Sequence, residues 1–332
     1  MVLTQMDSTK AVQERIRHSA YSVEEGGLHK LSFHAMSTIC RVHFQAPTPA
    51  AAAEFKDQVL DWTGWFEARY SRFIPDSLIS RINSAAGQNW VEVDAETDAL
   101  FNLCQEMIFF TRGVFDPTAL PLIRLWNWKA KPPVVPDEPS IRRAQELVGW
   151  RKLQRRAGAI FLPQAGMCLD LGGIGKEYAV DRVTTMGLSR GFENMLVDFG
   201  QDVRAHGKPP GRDAWHVGLQ DPRDLNRCWN GVAVNGSAVA TSGDGVRQFV
   251  HQGRRYGHIL DPRTGHPVDN GTLAVSIIAP HCTFAGILST TAFILGLKEG
   301  LELISLCPGV EGCIITETAR NQTRMFHAYT TS

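Results

Sequence analysis

Strand-like and helix-like segments alternate irregularly along this chain, and no internal repeat organises them. Apolar and polar residues alternate over 34–46, which predicts a strand. Residues 48–71 carry apolar side chains at helical spacing behind Thr48 and Pro49, a typical helix start, and a second helix is predicted over 95–111. Because a regular parallel sheet needs strands and helices in strict turn, this order predicts a mixed-sheet α/β or α+β sandwich.

The remaining segments fit the same architecture. We predict a strand, a glycine turn and a helix over 166–187, strands over 193–207 and 215–222, and a helix over 284–298. Residues 1–30 are polar without sustained periodicity, so we expect a loosely ordered N-terminal arm. The four prolines of 129–140 predict an exposed loop.

Composition narrows the classes of function. Lys plus Arg equals Asp plus Glu at 34 each, so nucleic acid or an anionic membrane is not expected as the principal partner. No run of about 18 apolar residues and no signal-like apolar core is present, so we expect a cytoplasmic protein without membrane insertion. The seven dispersed cysteines lack a C-x-x-C pair, which predicts reduced, mostly buried thiols.

Taken singly, the motifs leave their meaning open. The glycine turn of 170–182 either receives a phosphate at the start of its helix or lets the helix pack close to its strand. His258 is either a catalytic side chain or a satisfied strand histidine, and its spacing from His251 and His266 is not that of a metal site. Ser242 lies outside a G-x-S-x-G elbow, which argues against a serine hydrolase.

The stretch "FAGILSTTAFILG" (284–296) is apolar on nearly every face, yet Ser289, Thr290 and Thr291 lie at its centre. Gly286 precedes them by one turn, where glycine costs a helix about 1 kcal/mol relative to alanine. Such hydroxyls are satisfied when each donates to a carbonyl one turn earlier. What three hydroxyls and a glycine do inside a core helix is left open by this stretch alone.

The motifs are far more specific as an ordered set. In sequence, "HAMST", "SRFIPDSLISRIN", "GVFDPTALPLIRLW", "LDLGGIGKEYAVDR", "LVDFGQDVRAHG", "TSGDG", "HILDPRTGHPV" and "LSTTAFILG" resemble the ApbE family of FAD:protein FMN transferases. The resemblance covers 31–332 with consistent spacing. It implies one domain over 31–332 with an α+β fold, a sandwich of mixed β-sheets packed with helices.

The resemblance also implies an activity. Members of the family cleave FAD at its pyrophosphate, transfer FMN to a Thr or Ser hydroxyl of an acceptor flavoprotein, release AMP and use Mg²⁺. Attack of an alcohol on a phosphoryl centre needs a base, cationic screening and a cleft that aligns the reacting groups. Two alternatives use the same cleft: an FAD-binding carrier protein without efficient transfer, and an FAD pyrophosphatase in which water replaces the acceptor hydroxyl.

Site residues follow from the same resemblance. His258 is the expected catalytic base. The expected FAD-binding residues are Met36, Phe73, Phe115, Asp116, Thr118, Asp170, Lys176 and Ile259, and the expected metal-binding residues are Gly173, Ser289 and Thr290. Phe73 offers a flat face to a ring, and Lys176 is expected to neutralise phosphate charge.

One expected metal ligand is missing. The family pattern carries an aspartate where this chain has Gly286, and a glycine where it has Glu177. Magnesium is usually bound through one or two carboxylates together with phosphates and waters. We therefore expect Glu177 or Asp244 to supply the lost carboxylate, and the replacement Gly286→Asp to raise metal affinity or rate.

Overall fold

The computed structural model describes residues 5–128, 130–245 and 248–331. Its α-helices are α1 Gln5–His18, α2 Pro49–Tyr70, α3 Leu78–Ser84, α4 Ala95–Phe110, α5 Leu120–Leu125, α6 Glu138–Gln145, α7 Gly175–Ser189 and α8 Cys282–Ser305, with 3-10 helices at Trp150–Lys152 and Phe326–Tyr329. Its longer strands are β1 Tyr21–Glu25, β2 Leu28–Ala35, β3 Thr38–Phe44, β7 Met195–Phe199, β8 Asp202–His206, β9 Trp215–Asp221, β10 Asp224–Val234, β11 Ser237–Gly243, β16 Thr272–Ala279 and β17 Glu311–Thr316. The shorter strands are β4 Val91–Glu92, β5 Gln154–Arg156, β6 Ala159–Phe161, β12 Gln248–His251, β13 Arg254–Gly257, β14 Leu260–Asp261, β15 His266–Pro267, β18 Arg320–Gln322 and β19 Thr330–Thr331.

A nine-stranded sheet forms the centre of the described structure, in the order β1-β2-β3-β7-β8-β11-β16-β17-β18. Every neighbouring pair in it is antiparallel. A smaller sheet, β19-β10-β9, packs on one face through an apolar cluster that includes Trp215, Val232 and Phe326. The α+β sandwich is therefore confirmed, with antiparallel rather than mixed pairing in its large sheet.

Helices α2, α7 and α8 cover the other face of the large sheet. Phe55 and Phe66 of α2 and Val180 of α7 are buried in one apolar cluster with β2, β3 and β7. Leu288 and Phe293 of α8 are buried in a second cluster against β11, β16 and β17. Burial of these apolar faces is the main stabilising contribution to the fold.

The two long helices follow their sequence signals. In α2 the Thr48 side chain accepts a hydrogen bond from Ala51 N–H, and Pro49 opens the helix, as predicted. Helix α8 contains the predicted 284–298 segment and breaks at Gly296, whose φ of 79° is open to glycine. There Asn270 Nδ2 donates to the carbonyls of Phe293 at 3.0 Å and Ile294 at 3.2 Å. The side chain thus satisfies carbonyls near the break.

The expectation of a loosely ordered arm over 1–30 is wrong for residues 5–30, and residues 1–4 lie outside the described ranges. Helix α1 packs on α2, with Ile16 buried. Arg17 pairs with Asp57 and Asp61 of α2, each at 2.8 Å. The helices approach so closely that a Cβ on Gly64 would lie 2.6 Å from the Gln13 side chain. Partners on α2, which local polarity does not reveal, order this segment.

Other boundaries differ in detail. Residues 34–46 are the end of β2, a tight turn and β3 rather than one strand, and residues 167–171 have no strand pairing before the helix α7. Helix α6 begins inside the predicted 129–140 loop, and residue 129 lies outside the described ranges. The cysteine prediction is confirmed, since all are free and only Cys228 is exposed. No helix among the described residues is long and apolar enough to cross a membrane.

Candidate active site

The predicted flavin-contacting residues Met36 and Phe73 lie next to the end of α2. Met36 is in the β2–β3 turn with φ 49°, and its N–H donates to Glu67 Oε2 of α2 at 2.9 Å. Phe73 follows α2 and is 69% exposed, with the Arg72 guanidinium 4.2 Å from its ring centroid. An exposed aromatic ring with a cation on one face offers its other face to a ligand.

Arg72, next to Phe73, contacts the segment that precedes α7. Its Nε lies 3.0 Å from Asp170 Oδ2, while Oδ1 of the same carboxylate accepts the Gly172 N–H at 3.0 Å. The Asp170 N–H donates to the carbonyl of Pro117 at 2.8 Å. Asp170 therefore contacts three segments: Arg72 next to Phe73, the glycine turn at Gly172, and the loop after Asp116.

The side chains of Asp116 and Thr118 form hydrogen bonds with other groups of the protein. Asp116 Oδ1 accepts from Thr118 N–H at 2.8 Å and Thr118 Oγ1 at 2.6 Å, and Oδ2 accepts from Trp150 N–H at 3.0 Å. The Thr118 hydroxyl in turn accepts from Gly149 N–H at 2.7 Å, and its residue is 0% exposed. This side chain is not accessible to a ligand, so Thr118 would act on FAD only by positioning the loop. Phe115 is buried, and a Cβ on Gly173 would lie 3.7 Å from its ring.

The start of α7 is charged and buried. Lys176 Nζ pairs with Asp202 Oδ2 of β8 and lies 3.7 Å from Glu177 Oε1. Burial disfavours the charged ammonium, but the Glu177 and Asp202 carboxylates outweigh burial and raise the pKa of Lys176. Burial, together with the Glu177 carboxylate, raises the pKa of Asp202 to about 7 despite the opposing effect of Lys176. Burial is the larger cause of the rise in the pKa of Asp202, and neighbouring carboxylates raise the pKa of both groups.

Glu177 fills the space beside Gly286. A Cβ on Gly286 would lie 2.5 Å from Glu177 Cγ, 3.1 Å from Cδ and 3.2 Å from Oε1. Glu177 is only 8% exposed, and its Oε2 is buried without a hydrogen-bond partner among the described residues. Of the two predicted substitutes, Glu177 is thus the one whose carboxylate lies against Gly286.

A cluster of hydroxyls continues along the same helix. Ser242 Oγ of β11 lies 2.8 Å from Ser289 Oγ and 2.8 Å from Thr290 Oγ1. Ser289 Oγ also donates to the Gly286 carbonyl at 2.9 Å, while Thr290 is half-buried. Thr291 is buried on another side of the helix. Of the three hydroxyl residues singled out in the sequence, Ser289 and Thr290 contact Ser242 and Thr291 does not.

His258 lies in the bend between β13 and β14 and is partly exposed. Gly257 before it is packed against Asp244, since a Cβ there would lie 2.4 Å from Asp244 Oδ2. Arg255 Nη1 engages Asp244 Oδ1 at 2.8 Å. Asp244 is therefore paired with the β12–β13 hairpin, and Ile259 packs against the α8 cluster.

Asp181 fixes α7 against α8. Its Oδ1 accepts from Cys282 N–H at 2.9 Å and its Oδ2 from Thr283 N–H at 2.8 Å, so a side chain of α7 caps the first turn of α8. Arg204 of β8 pairs with the same carboxylate at 2.8 Å. The cap holds the two helices in a fixed relation near the contact of Glu177 with Gly286.

Contacts thus join most predicted site residues into one region, with the Thr118 side chain buried behind its surface. Sequence reasoning missed Arg72, Asp181 and Asp202 and assigned no role to Ser242. All four stood inside motifs quoted for the resemblance, which is the only signal that singled them out: Arg72 in "SRFIPDSLISRIN", Asp181 in "LDLGGIGKEYAVDR", Asp202 in "LVDFGQDVRAHG" and Ser242 in "TSGDG". Over the described ranges, no three or more His, Cys, Asp or Glu side chains are grouped to hold a metal ion. A cation here would depend on no more than one nearby carboxylate, that of Glu177, together with hydroxyls, carbonyls and a ligand's own oxygens.

Comparisons with known proteins identify the family and the fold. The model of the ApbE family matches residues 36–314. A protein of Treponema pallidum named FAD:protein FMN transferase is 32% identical over 300 residues, covering 84% of this chain and 82% of that protein. A protein of Klebsiella pneumoniae with the same name is 31% identical over 249 residues, 73% of this chain and 76% of its own length. The crystal structure of an ApbE protein from Thermotoga maritima superposes with a TM-score of 0.82 at 30% identity, covering 94% of this chain and 100% of that one.

Proposed function

Because this chain belongs to the ApbE family, we propose that it is a FAD:protein FMN transferase that moves FMN from FAD to a hydroxyl group of an acceptor flavoprotein and releases AMP. The observation that carries the proposal is the continuous set of contacts from the exposed Phe73 ring, through Arg72 and Asp170, to the Asp116 loop and the glycine turn. This surface presents an aromatic ring next to the start of a helix. A flavin nucleotide presents the matching chemistry, a flat ring joined to phosphates.

The reaction exchanges one bond to phosphorus for another. The acceptor Thr or Ser hydroxyl oxygen bonds to the FMN phosphorus, the bond from that phosphorus to the bridging oxygen breaks, and AMP leaves with that oxygen. The hydroxyl proton passes to the imidazole of His258, the proposed general base. His258 lies in a bend rather than inside a strand ladder and is partly exposed. Its position is held by Gly257, which packs against buried Asp244.

The protein positions FAD through fixed elements. Phe73 would contact the isoalloxazine ring with Met36 beside it, and Ile259 would border the flavin. Asp116 and Thr118 hold the loop that carries Phe115, which borders the glycine turn at Gly173. Because the Lys176 ammonium is paired with Asp202, Lys176 would neutralise carboxylates at the turn rather than meet phosphate directly. Fixed positioning of this kind is a large part of phosphoryl-transfer catalysis.

The donors present fit magnesium. The unpartnered Glu177 oxygen and the clustered hydroxyls of Ser289 and Thr290 are hard oxygen donors, as Mg²⁺ requires. These residues, with the carbonyl of Gly173, would hold it. When bound, Mg²⁺ supplies charge that screens a diphosphate.

AMP release and covalent flavin test the proposal together. The purified protein is mixed with FAD, Mg²⁺ and an extract of cells that carry its gene. We expect AMP in solution and a fluorescent flavin band that survives denaturing electrophoresis, with mass spectrometry locating FMN on Thr or Ser. His258→Gln is expected to lower the AMP rate by about 10²–10⁴-fold, while His251→Gln, in the neighbouring hairpin, leaves it unchanged.

Two other outcomes contradict the proposal in different ways. Tight FAD binding with no AMP at any Mg²⁺ concentration would identify a flavin carrier. Release of AMP and FMN in equal amounts, with no protein-bound flavin, would identify a pyrophosphatase that uses the same cleft with water as the nucleophile.

A further inference from the structure

The buried start of α7 carries more negative than positive charge. Lys176 is the cation paired there, and it faces the carboxylates of both Asp202 and Glu177. Asp202 is 6% exposed and Glu177 8%. The neighbouring cation, Arg204, is already paired with Asp181 and does not balance this charge. One ammonium cannot neutralise two ionised buried carboxylates, and an unbalanced buried charge is unfavourable unless a proton or another ion joins it.

The incompletely paired oxygen is Oε2 of Glu177. Lys176 engages Asp202 closely and Glu177 only through Oε1, so Oε2 of Glu177 remains buried with no hydrogen-bond partner among the described residues. Nearly all buried carboxylate oxygens in folded proteins have a donor. An oxygen without one, on a charged group, marks a position that a ligand completes.

Hydroxyl groups lie one turn away on the facing helix. Glu177 packs on Gly286, and residues 289 and 290 follow by three and four positions, on the same face of α8. There Ser289 and Thr290 both meet Ser242. A carboxylate oxygen followed by a row of hydroxyl oxygens is a donor set for a hard divalent cation.

We propose that the Glu177 carboxylate is the acidic ligand of a divalent-cation site shared with Ser289 and Thr290, and that it occupies the space a side chain at position 286 would fill. The proposal rests on the proposed function, because the diphosphate of FAD would complete the coordination. The metal-binding carboxylate would then come from α7, whereas the family pattern places it on the helix that corresponds to α8. This chain differs from the family pattern at two positions that are far apart in sequence, 177 and 286. The two differences compensate each other, since the Glu177 side chain fills the space that a side chain at position 286 would occupy.

Metal binding tests the ligand directly, apart from turnover. Mn²⁺ alone is titrated into the full-length protein and free Mn²⁺ is read by electron paramagnetic resonance. Glu177→Gln keeps the shape of the side chain and removes its charge, so we expect at least about a tenfold loss of affinity. Glu299→Gln, an exposed residue of α8, changes net charge equally and is expected to stay within about twofold. Equal Mn²⁺ affinity in wild type and Glu177→Gln would overturn the proposal.

The exchange itself provides a second test. Glu177→Gly is expected to lose Mn²⁺ affinity, and Glu177→Gly with Gly286→Asp to recover it to within about threefold of wild type. Circular dichroism verifies that each variant is folded. If the folded double variant binds Mn²⁺ no better than Glu177→Gly, position 286 does not lie at the cation and the proposal is wrong.

Failure of this inference differs from failure of the proposed function. Glu177-dependent Mn²⁺ binding without AMP release from FAD would leave the cation site standing and remove the transferase. AMP release and flavin transfer with Mn²⁺ affinity unaffected by Glu177→Gln would leave the transferase standing and remove Glu177 as a ligand.

Discussion

Two acidic residues near the candidate cleft differ in how the protein uses their oxygens. Both carboxylate oxygens of Asp116 accept hydrogen bonds from the protein, Oδ1 from the Thr118 N–H and hydroxyl and Oδ2 from the Trp150 N–H. Glu177 is more deeply buried than the half-buried Asp116, yet its Oε2 accepts nothing from the described residues and its Oε1 lies 3.7 Å from Lys176 Nζ. The same type of group is complete in one place and incomplete in the other.

The difference separates scaffold from ligand. A carboxylate whose hydrogen bonds are all made internally stabilises the fold and fixes a loop, and removing it should cost stability. A buried carboxylate left incomplete costs stability until a ligand arrives, and removing it should cost binding. Both residues lie in motifs of the family, so only their contacts distinguish the two roles.

The largest effect is expected at Asp116. Asp116→Ala leaves the buried N–H groups of Trp150 and Thr118 without an acceptor, so we expect the free energy of unfolding to fall by about 3–5 kcal/mol. Urea unfolding measures it. The control is Asp137→Ala, which removes an exposed cap of α6 that accepts from Ser140 N–H and should cost about 1 kcal/mol. A loss at Asp116 no larger than at Asp137 would place Asp116 outside the scaffold.

The next effect reverses an expectation drawn from the sequence. Gly286→Asp alone is expected to destabilise the protein by about 1–3 kcal/mol, because its Cβ would overlap Glu177 Cγ. Placed in the Glu177→Gly background, the same replacement should cost much less. Thermal unfolding of the two single variants, the double variant and wild type gives the coupling. Additive effects would mean that the two positions do not compete for the same space.

A smaller effect of opposite sign is expected at Glu177. In metal-free buffer, Glu177→Gln should raise the free energy of unfolding by about 1 kcal/mol, because it removes the unbalanced buried charge. Saturating Mg²⁺ should stabilise the wild type and leave the variant unchanged. Glu299→Gln serves as the control for net charge. A variant less stable than wild type in metal-free buffer would mean that Glu177, like Asp116, belongs to the scaffold.

The smallest effect on stability is expected at Phe73. Phe73→Leu should change the free energy of unfolding by less than about 0.5 kcal/mol, because the ring is exposed. FAD affinity should fall several-fold with loss of the stacking face, worth about 0.5–1.5 kcal/mol. Fluorescence titration with FAD measures this. Phe109→Leu, an exposed aromatic of α4, is the control, and equal FAD affinity in both variants would remove Phe73 from the site.

Local patterns predicted what local physics determines. Thr48, Pro49 and the helical spacing behind them fixed the start of α2, and the apolar run 284–298 identified α8. The order of α1 did not follow from sequence, because it depends on Asp57 and Asp61 of a different helix.

The site divides in the same way. Motifs named Asp116 and Thr118 but could not show that their oxygens accept hydrogen bonds from the protein, since those bonds come from Trp150 and Gly149. The sequence offered Glu177 and Asp244 as alternative carboxylate donors and did not decide between them. Only the fold shows that Asp244 is paired with Arg255 while Glu177 lies against Gly286.

The location of a bound cation tests the central claim most directly. Crystals of the protein soaked in MnCl₂ can be measured at a wavelength where manganese scatters anomalously. The account predicts an anomalous peak about 2–2.3 Å from a Glu177 carboxylate oxygen, on the side of α8 that carries Ser289 and Thr290, and no peak there in Glu177→Gln crystals. A manganese peak at the hydroxyls of Ser289 and Thr290 that is out of reach of Glu177 would contradict it.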